Sequence, residues 1–337
     1  ESAGSDPGPA CYGRGGTEPT FTDAMVVLGY LNPEAIAGGE VQICAELAHR
    51  AIADRLARPL ACSLEAVAYG ILTLASATMK RAVKAVTTNR GRDPRDFTLF
   101  AFGGNGPVAA TALAEELGIT RILVPPGPGV FSAFGLPLSD VEREVSRSVM
   151  LPCTSSSAAA LVALLQALEA EARQGLTADG HDASAARIER LAELRFAGQA
   201  FELSVPVQVE HFSAKALAEA FVAEHRRSYG HGSEQEPVQV VTLRLRARIP
   251  RPRPSTILWP KPRRMPRGER RAFFGPRCGW LSVAVLCRGD LGADWREGPL
   301  IVEEDDATTI VAPGWKVRRD THCIMEIRRE TVDAYGR

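Results

Sequence analysis

The sequence predicts an α/β chain: a parallel-sheet lobe, then an α+β region, then a small β-rich C-terminal domain. Three observations predict it. Phe97-Thr-Leu-Phe-Ala-Phe102 is an apolar strand run that leads at once into Gly103-Gly-Asn-Gly-Pro107, a helical stretch from Val108 to Leu117, a capping Gly118 and a second run, Arg121-Ile-Leu-Val-Pro125. That order of strand, glycine loop, helix and strand is the unit from which parallel sheets are built. From about residue 151 helical and alternating patterns mix, and from Phe273 the chain breaks into short strand-like runs separated by turns. A length of 337 residues fits two or three domains.

Composition narrows the class. With 45% hydrophobic and 24% charged residues the chain is globular rather than disordered. No apolar run reaches the roughly 18 residues of a membrane span. Forty basic residues balance forty acidic ones, so no global charge draws the chain to nucleic acid or to an anionic membrane. The seven cysteines are odd in number, widely spaced and free of any CxxC pair. They read as reduced thiols of a cytoplasmic protein rather than a disulfide framework or a zinc site.

The elements follow in order. Residues 1–22 are rich in Gly and Pro and read as a long loop, a kind that often carries function. A loop-like opening without Met leads us to expect that the chain begins in mid-protein. Thr22-Asp23 reads as a helix start, with Asp23 as N-cap or facing a substrate or metal. Glu40 to Leu56 predicts an amphipathic helix. Ser63 caps a long helix to about Thr88, whose apolar stripe is broad enough to be buried. Ala158 to Leu176 and Ala214 to Tyr229 are helical, and Val238 to Ile249 alternates as a half-buried strand. Residues 251–272 are Pro- and Arg-rich and read as a linker. Strands are expected at Trp280–Leu286, Gly298–Val302, Thr308–Val311 and Cys323–Ile327.

The glycine loop has a physical use. Glycines let a ligand approach the backbone, and a helix N-terminus presents unpaired N–H groups and a positive dipole end. Gly103, Gly104, Asn105 and Gly106 are therefore candidates to bind a nucleotide or an anion, with a plain tight turn as the alternative. The loop is neither a Walker loop nor GxGxxG. Asp6 either takes part in chemistry or shapes a turn before Pro7. Cys11 is a candidate nucleophile or ligand, though nothing local in the sequence lowers its pKa. His225 and His231 read as a helix end and turn, and Glu303-Glu-Asp-Asp306 as a solvated turn.

Several long stretches, in order, resemble the hydantoinase A/oxoprolinase family: Glu1 to Thr17 with Pro19 to Ala24, Asn89 to Phe97 leading into Phe102-Gly-Gly-Asn-Gly-Pro107, Pro125 to Leu136, Arg195 to Gln199, and Gly298 to Glu303 through Pro313-Gly-Trp315. The resemblance covers nearly the whole chain. It implies an ATP-dependent enzyme that opens a small cyclic amide such as 5-oxoproline or a hydantoin. It also implies an actin/sugar-kinase/Hsp70-like (ribonuclease H-like) core, two α/β lobes with ATP between them.

On that resemblance, residues 1–148 are the remainder of the second nucleotide-binding lobe, 149–250 an α+β region, 251–272 a linker and 273–337 a small β domain. The catalytic candidates are Asp6, Cys11 and Asp23, and Gly103, Gly104, Asn105 and Gly106 form the adenosine-side loop. ATP and Mg²⁺ are the implied cofactors. Their phosphate and metal ligands are expected upstream, because the family's Asp-Gly-Gly-Thr-x-Thr-Asp pattern does not occur here. The implied partners are a hydantoinase B-type second subunit and the N-terminal half of the same subunit. Ala109 stands where family members often carry His. Two alternatives remain open: a subunit of an ATP-dependent, acetone-type ketone carboxylase, and a non-catalytic fragment that binds a partner.

Overall fold

The structure is a computed structural model and describes residues 2–252 and 268–330. These residues form two compact units. The first takes residues up to Gly135 and those from Gly268 on; the second begins at Leu136.

The first unit opens on a coil that turns sharply at Ala10–Tyr12 and enters helix α1, Phe21–Val27. Thr20, not Asp23, is the N-cap. Its hydroxyl accepts the Asp23 N–H while the Asp23 carboxylate accepts the Thr20 N–H, a reciprocal capping box. A two-residue ribbon, β1 (Ala35–Ile36) with β2 (Val41–Gln42), precedes helix α2, Ala45–Ile52, which loosens into a π turn over Ala53–Ala57.

Helix α3 spans Leu64–Val86 and is capped by the Ser63 hydroxyl, which accepts the Ala66 N–H. Its burial corrects the sequence expectation. Only Ala68, Leu72 and Ser76, one residue per turn, are buried, and Leu74 is 69% exposed.

Strand β3 (Leu99–Phe100) leads through the glycine loop into α4 (Gly106–Leu117) and β4 (Arg121–Val124), and β3 and β4 pair in parallel as the pattern requires. Gly118 ends α4 with φ +71°, the left-handed conformation that glycine adopts without a Cβ penalty. A short helix, α5, covers Phe131–Gly135.

The second unit is a four-stranded antiparallel sheet. Its strands are β5 (Val141–Pro152), β6 (Arg187–Phe196), β7 (Leu203–Pro206) and β8 (Val238–Ile249), in the order β5-β8-β6-β7. Helices α6 (Ala158–Ala178) and α7 (Ala214–Tyr229) bury their Leu and Phe rows in its core. Along β8 the inward set runs Val240, then Leu243, Leu245 and Ala247. The phase slips by one residue between 240 and 243, and the register of the β6–β8 ladder shifts at that place. A bulge returns the apolar residues to the core. Arg244, Arg246 and Arg248 alternate with them and pair across the strands with Glu142, Glu144 and Glu189.

The chain then returns to the first unit with β9 (Gly268–Phe273), the short helix α8 (Gly275–Cys278), β10 (Trp280–Leu286), β11 (Arg296–Glu297), β12 (Leu300–Glu303), β13 (Thr308–Val311), β14 (Trp315–Arg319) and β15 (Met325–Arg329). Most of the 251–272 linker expectation lies outside the described residues, and its last residues are the strand β9 rather than linker.

The strands after residue 273 do not stand apart as a domain. β15 pairs antiparallel with β4, giving a five-stranded sheet β11-β14-β15-β4-β3, while β9, β10, β12 and β13 form a second sheet in the order β13-β12-β10-β9. The physical reason is burial. β12 is buried at every residue, which needs cover on both of its faces. Helix α4 supplies part of that cover, placing Val108 and Ala109 in one apolar cluster and Ala110, Leu113, Ala114 and Leu117 in another.

The five-stranded sheet carries a charge cluster at Glu326. Its carboxylate receives Arg121 at 2.7 Å, Arg318 at 2.9 and 2.7 Å, and Arg328 at 2.7 Å. Burial alone would raise its pKa. The hydrogen bonds from Arg318, Arg328 and Arg121 outweigh that and hold it at about 2. A carboxylate with a lowered native pKa stabilises the fold above its unfolded value and loses that contribution as pH falls toward the native value. The stability of this unit is therefore expected to drop between about pH 4.5 and about 2. Glu326→Gln should lose on the order of 2 kcal/mol at neutral pH and flatten that acid limb, read by urea denaturation across pH.

Candidate functional site

The glycine loop sits where β3 ends and α4 begins. Gly103 adopts φ +85°, and its N–H donates to the Pro128 carbonyl at 2.7 Å, tying the loop to the Pro125–Gly129 turn. Gly104 and Gly106 are different. Neither has positive φ, and a Cβ on either would meet no atom closer than 3.9 Å. Neither backbone conformation nor packing demands glycine there, so the bare backbone faces open space. Pro107 sits in the first turn of α4, where a missing N–H costs nothing.

Gly104 and Asn105 line a cavity of about 200 Å³ together with Tyr12, Asn32, Gly38 and Gly39. Its far wall is Glu303, Glu304, Asp306 and Thr308. This acidic run is not the solvated turn its sequence suggests. Glu303 is buried and receives Arg270 at 2.6 Å. Glu304 receives Arg288 in a bidentate pair at 2.6 and 2.7 Å. Burial pushes the Glu304 carboxyl upward, and the Arg288 guanidinium pulls it part of the way back. Asp306 accepts the Gly129 and Val130 N–H groups at 2.8 and 3.3 Å. Among the described residues no arginine or lysine side chain lines this cavity.

Arg288 is the hub of this wall. Besides Glu304, its guanidinium donates to the carbonyls of Val124, Pro125 and Cys323 at 3.1, 2.8 and 2.7 Å. It thus ties the end of β4, the turn after it and the β14–β15 hairpin to the acidic run. Nothing in the sequence singled out Arg288, because its partners come from residues 124, 125, 304 and 323. The acidic run was visible as a string of charges, but its burial was not.

The catalytic candidates are distributed differently from the sequence expectation. Asp6 is exposed and precedes a cis peptide bond to Pro7. Asp23 is fully buried and its carboxylate is filled by four donors: the N–H groups of Ala10 (3.2 Å), Cys11 (2.7 Å) and Thr20 (2.9 Å), and the Thr20 hydroxyl (2.7 Å). It organises the loop rather than facing a substrate or a metal. Cys11 is fully buried beside it, and burial, then the negative charge of Asp23, pushes its thiol far up, away from the thiolate a nucleophile needs. The loop's neighbour Tyr12 and the helix residue Thr22 do reach the glycine-loop cavity, whereas Asp6, Cys11 and Asp23 do not line it.

Among the described residues no group of three or more His, Cys, Asp or Glu is placed to hold a metal ion, and all seven cysteines are free. His225 is a core residue, packed against the Phe196, Phe221 and Tyr229 rings, with its Nδ1 2.6 Å from the His231 carbonyl. Ala109 is buried among apolar side chains and is a packing position. No helix among the described residues is long and apolar enough to cross a membrane.

Fold and loop together define a mixed α/β protein with several sheets and an open glycine loop at a strand-to-helix turn. Sequence comparison makes the class specific. Residues 1–145 match the hydantoinase/oxoprolinase family and residues 153–330 match the hydantoinase/oxoprolinase C-terminal domain, so the chain belongs to that family. The caprolactamase subunit alpha of Pseudomonas jessenii is 34% identical over 97% of this chain and 48% of its own length. The crystal structure of the ATP-dependent caprolactamase from that organism superposes with a TM-score of 0.74 at 32% identity, over 97% of this chain and 49% of its own. A nucleotide-free acetone carboxylase structure, described under ATP-dependent acetone carboxylation, gives a TM-score of 0.68 at 25% identity, over 96% and 48% of the two chains. The chain thus spans about half the length of these relatives.

Proposed function

We propose that this chain is the C-terminal portion of an ATP-dependent cyclic-amide hydrolase subunit, opening a ring such as 5-oxoproline or a hydantoin. The observation that carries the reading is the pair Gly104 and Gly106: bare backbone with room above it, at the N-terminus of a twelve-residue helix, in a chain of this family. The unit that carries the loop is read as the remainder of the second lobe of an actin-like, two-lobed core.

The cavity chemistry supports the adenosine end of ATP rather than its phosphates. Among the described residues three carboxylates and no arginine or lysine line the cavity, and two of the carboxylates are already paired with Arg270 and Arg288, so the lining offers hydrogen-bond acceptors for hydroxyl and amino groups and no free cation for a polyphosphate. Gly103 to Gly106 would hold that end, Asn105 would offer its amide, and Arg288 with Asp306 would keep the loop in shape. Bound ATP would supply a phosphoryl group to activate the unreactive amide oxygen. The ligands for the phosphates and for Mg²⁺ would come from polypeptide corresponding to the rest of the relatives, and a hydantoinase B-type subunit is the proposed second partner.

The test joins this chain to the polypeptide matching the other half of the relatives and measures ATP hydrolysis with 5-oxoproline, hydantoin or caprolactam. Turnover stimulated by one of these is expected. An intact phosphate pattern with no stimulation by any cyclic amide would defeat the proposal. Bicarbonate-dependent product from a ketone would move the reading to the carboxylase branch, which the likeness to acetone carboxylase supports.

A further inference from the structure

A second cavity, of about 480 Å³, lies within the first unit toward the other end of α4. Gly104 and Asn105, just ahead of that helix, line the glycine-loop cavity, whereas Thr111, Ala112 and Glu115 line this one. Its volume is in the range of small-molecule sites, and the proposed function leaves it unused.

The walls are aromatic. Tyr30 packs against Phe274 with ring centroids 5.4 Å apart, and Tyr69 meets Phe273 edge-on. Tyr30 is 3% exposed and faces the cavity, and its hydroxyl has no hydrogen-bond partner among the described residues. A phenol so buried ordinarily finds one. Burial, then Tyr69, Glu115 and Cys278, push the pKa of that hydroxyl up, so it stays neutral and able to donate. Gly275 seats the other tyrosine. It has φ +78°, and a Cβ there would lie 2.6 Å from the tip of the Tyr69 ring.

The charges are of both signs. The Glu115 Oε1 accepts the Trp315 indole N–H at 2.9 Å and meets Arg329 at 3.3 Å, while its Oε2 takes no hydrogen bond among the described residues. Arg277, on α8, lines the cavity and has no ion-pair partner among the described residues. Ring faces and a carboxylate hold an ammonium. A guanidinium holds a carboxylate. A ligand with one charge satisfies only half of this lining.

We propose that this cavity binds an amino acid zwitterion, its ammonium toward Glu115 and the tyrosine rings and its carboxylate on Arg277. Opening a lactam frees an ammonium and a carboxylate on one molecule, so the ring-opened product carries this charge pattern and the closed ring lacks the ammonium. Taking the ligand as that product rests on the proposed function, whereas the site itself rests on the cavity.

Calorimetric titration of this chain tests it with L-glutamate and 6-aminohexanoate, the open forms of 5-oxoproline and caprolactam. The controls are both lactams, glutarate and hexanoate, which lack the amine, and hexylamine, which lacks the carboxylate. At least one of the two amino acids is expected to bind with a Kd of about 1 mM or tighter, a fair value for about ten heavy atoms, and every control about tenfold or more weakly. The bound amino acid should slow maleimide labelling of Cys278, which is exposed and lines the cavity, and leave the exposed Cys62 unaffected. Arg277→Gln alters an exposed side chain, so it should hold the melting temperature within about 2 °C while weakening the amino acid about tenfold and removing the disadvantage of hexylamine. Tyr30→Phe should weaken binding about threefold. No binding of either amino acid at about 10 mM would overturn the proposal. So would a control that binds as tightly, affinity indifferent to both variants, or Cys278 labelling that the ligand does not slow. Amino acid binding without cyclic-amide turnover in the joined enzyme keeps the site and removes only its reading as a product site. Turnover without such binding removes the site and keeps the activity.

Discussion

Asp23→Ala is expected to lower the stability of the glycine-loop unit by about 3–5 kcal/mol, a sum of lost charge-assisted bonds and orphaned donors. The carboxylate is fully buried and accepts four hydrogen bonds, from Ala10, Cys11 and both polar groups of Thr20. Alanine would leave three backbone N–H groups in the interior without an acceptor and would break the capping box of α1. Asp23→Asn keeps the shape but sets an NH₂ against one of those donors, so an intermediate loss is expected. Urea denaturation reads the size of the effect. Thiol labelling reads its place, because Cys11 is closed off in the native chain and should react with a maleimide at least tenfold faster once the 9–11 turn loosens. An unchanged midpoint together with unchanged labelling would return Asp23 to the list of residues free to do chemistry.

That result bears on what could be read from the chain beforehand. The strand, glycine loop, helix and strand of 97–125 were legible because each signal is local: an apolar run, glycines, a proline in the first turn and a capping glycine. The same holds for Ser63 as a cap and for the alternation of β8. Asp23 was legible as a residue that matters, but not in its role. A capping box needs only Thr20 three residues earlier, yet the two other donors come from the turn at 10–11, a distance no periodicity reports.

The long-range pairings were not legible at all. β15 joins β4 across about 200 residues, and the resulting sheet absorbs strands that look like a separate domain when read in order. The apolar stripe of α3 was legible as a pattern, but only one residue per turn is buried within this chain. Periodicity states which residues seek cover and leaves open which polypeptide provides it. The acidic run at 303–306 misled for the complementary reason. Four carboxylates in a row imply solvent unless cations arrive from elsewhere, and Arg270 and Arg288 do arrive, from strands and turns that sequence distance hides.

Arg288→Met is expected to lose about 3–5 kcal/mol, because it strands a buried carboxylate rather than removing an isolated contact. Arg288 is 2% exposed and makes its bidentate pair with Glu304 while binding three carbonyls. The pH dependence separates this cause from a simple packing defect. In the native chain burial already raises the Glu304 pKa against the pull of Arg288. Without the guanidinium the rise is larger, and a carboxyl with a raised native pKa costs stability as pH climbs above its unfolded value. The deficit of Arg288→Met should therefore shrink as pH falls toward 5 and grow toward neutrality, whereas a cavity alone would give a deficit independent of pH. Arg288→Met combined with Glu304→Leu removes both charges and should recover at least half of the loss, since a buried ion pair can often be exchanged for apolar groups of similar volume. The three carbonyls lose their donor in either variant, so the Pro125–Gly129 turn should stay loosened, with faster hydrogen exchange at the Gly103 amide that it holds. Recovered stability with a persistently mobile glycine loop would assign Arg288 to shaping the cavity, over and above holding the sheets together.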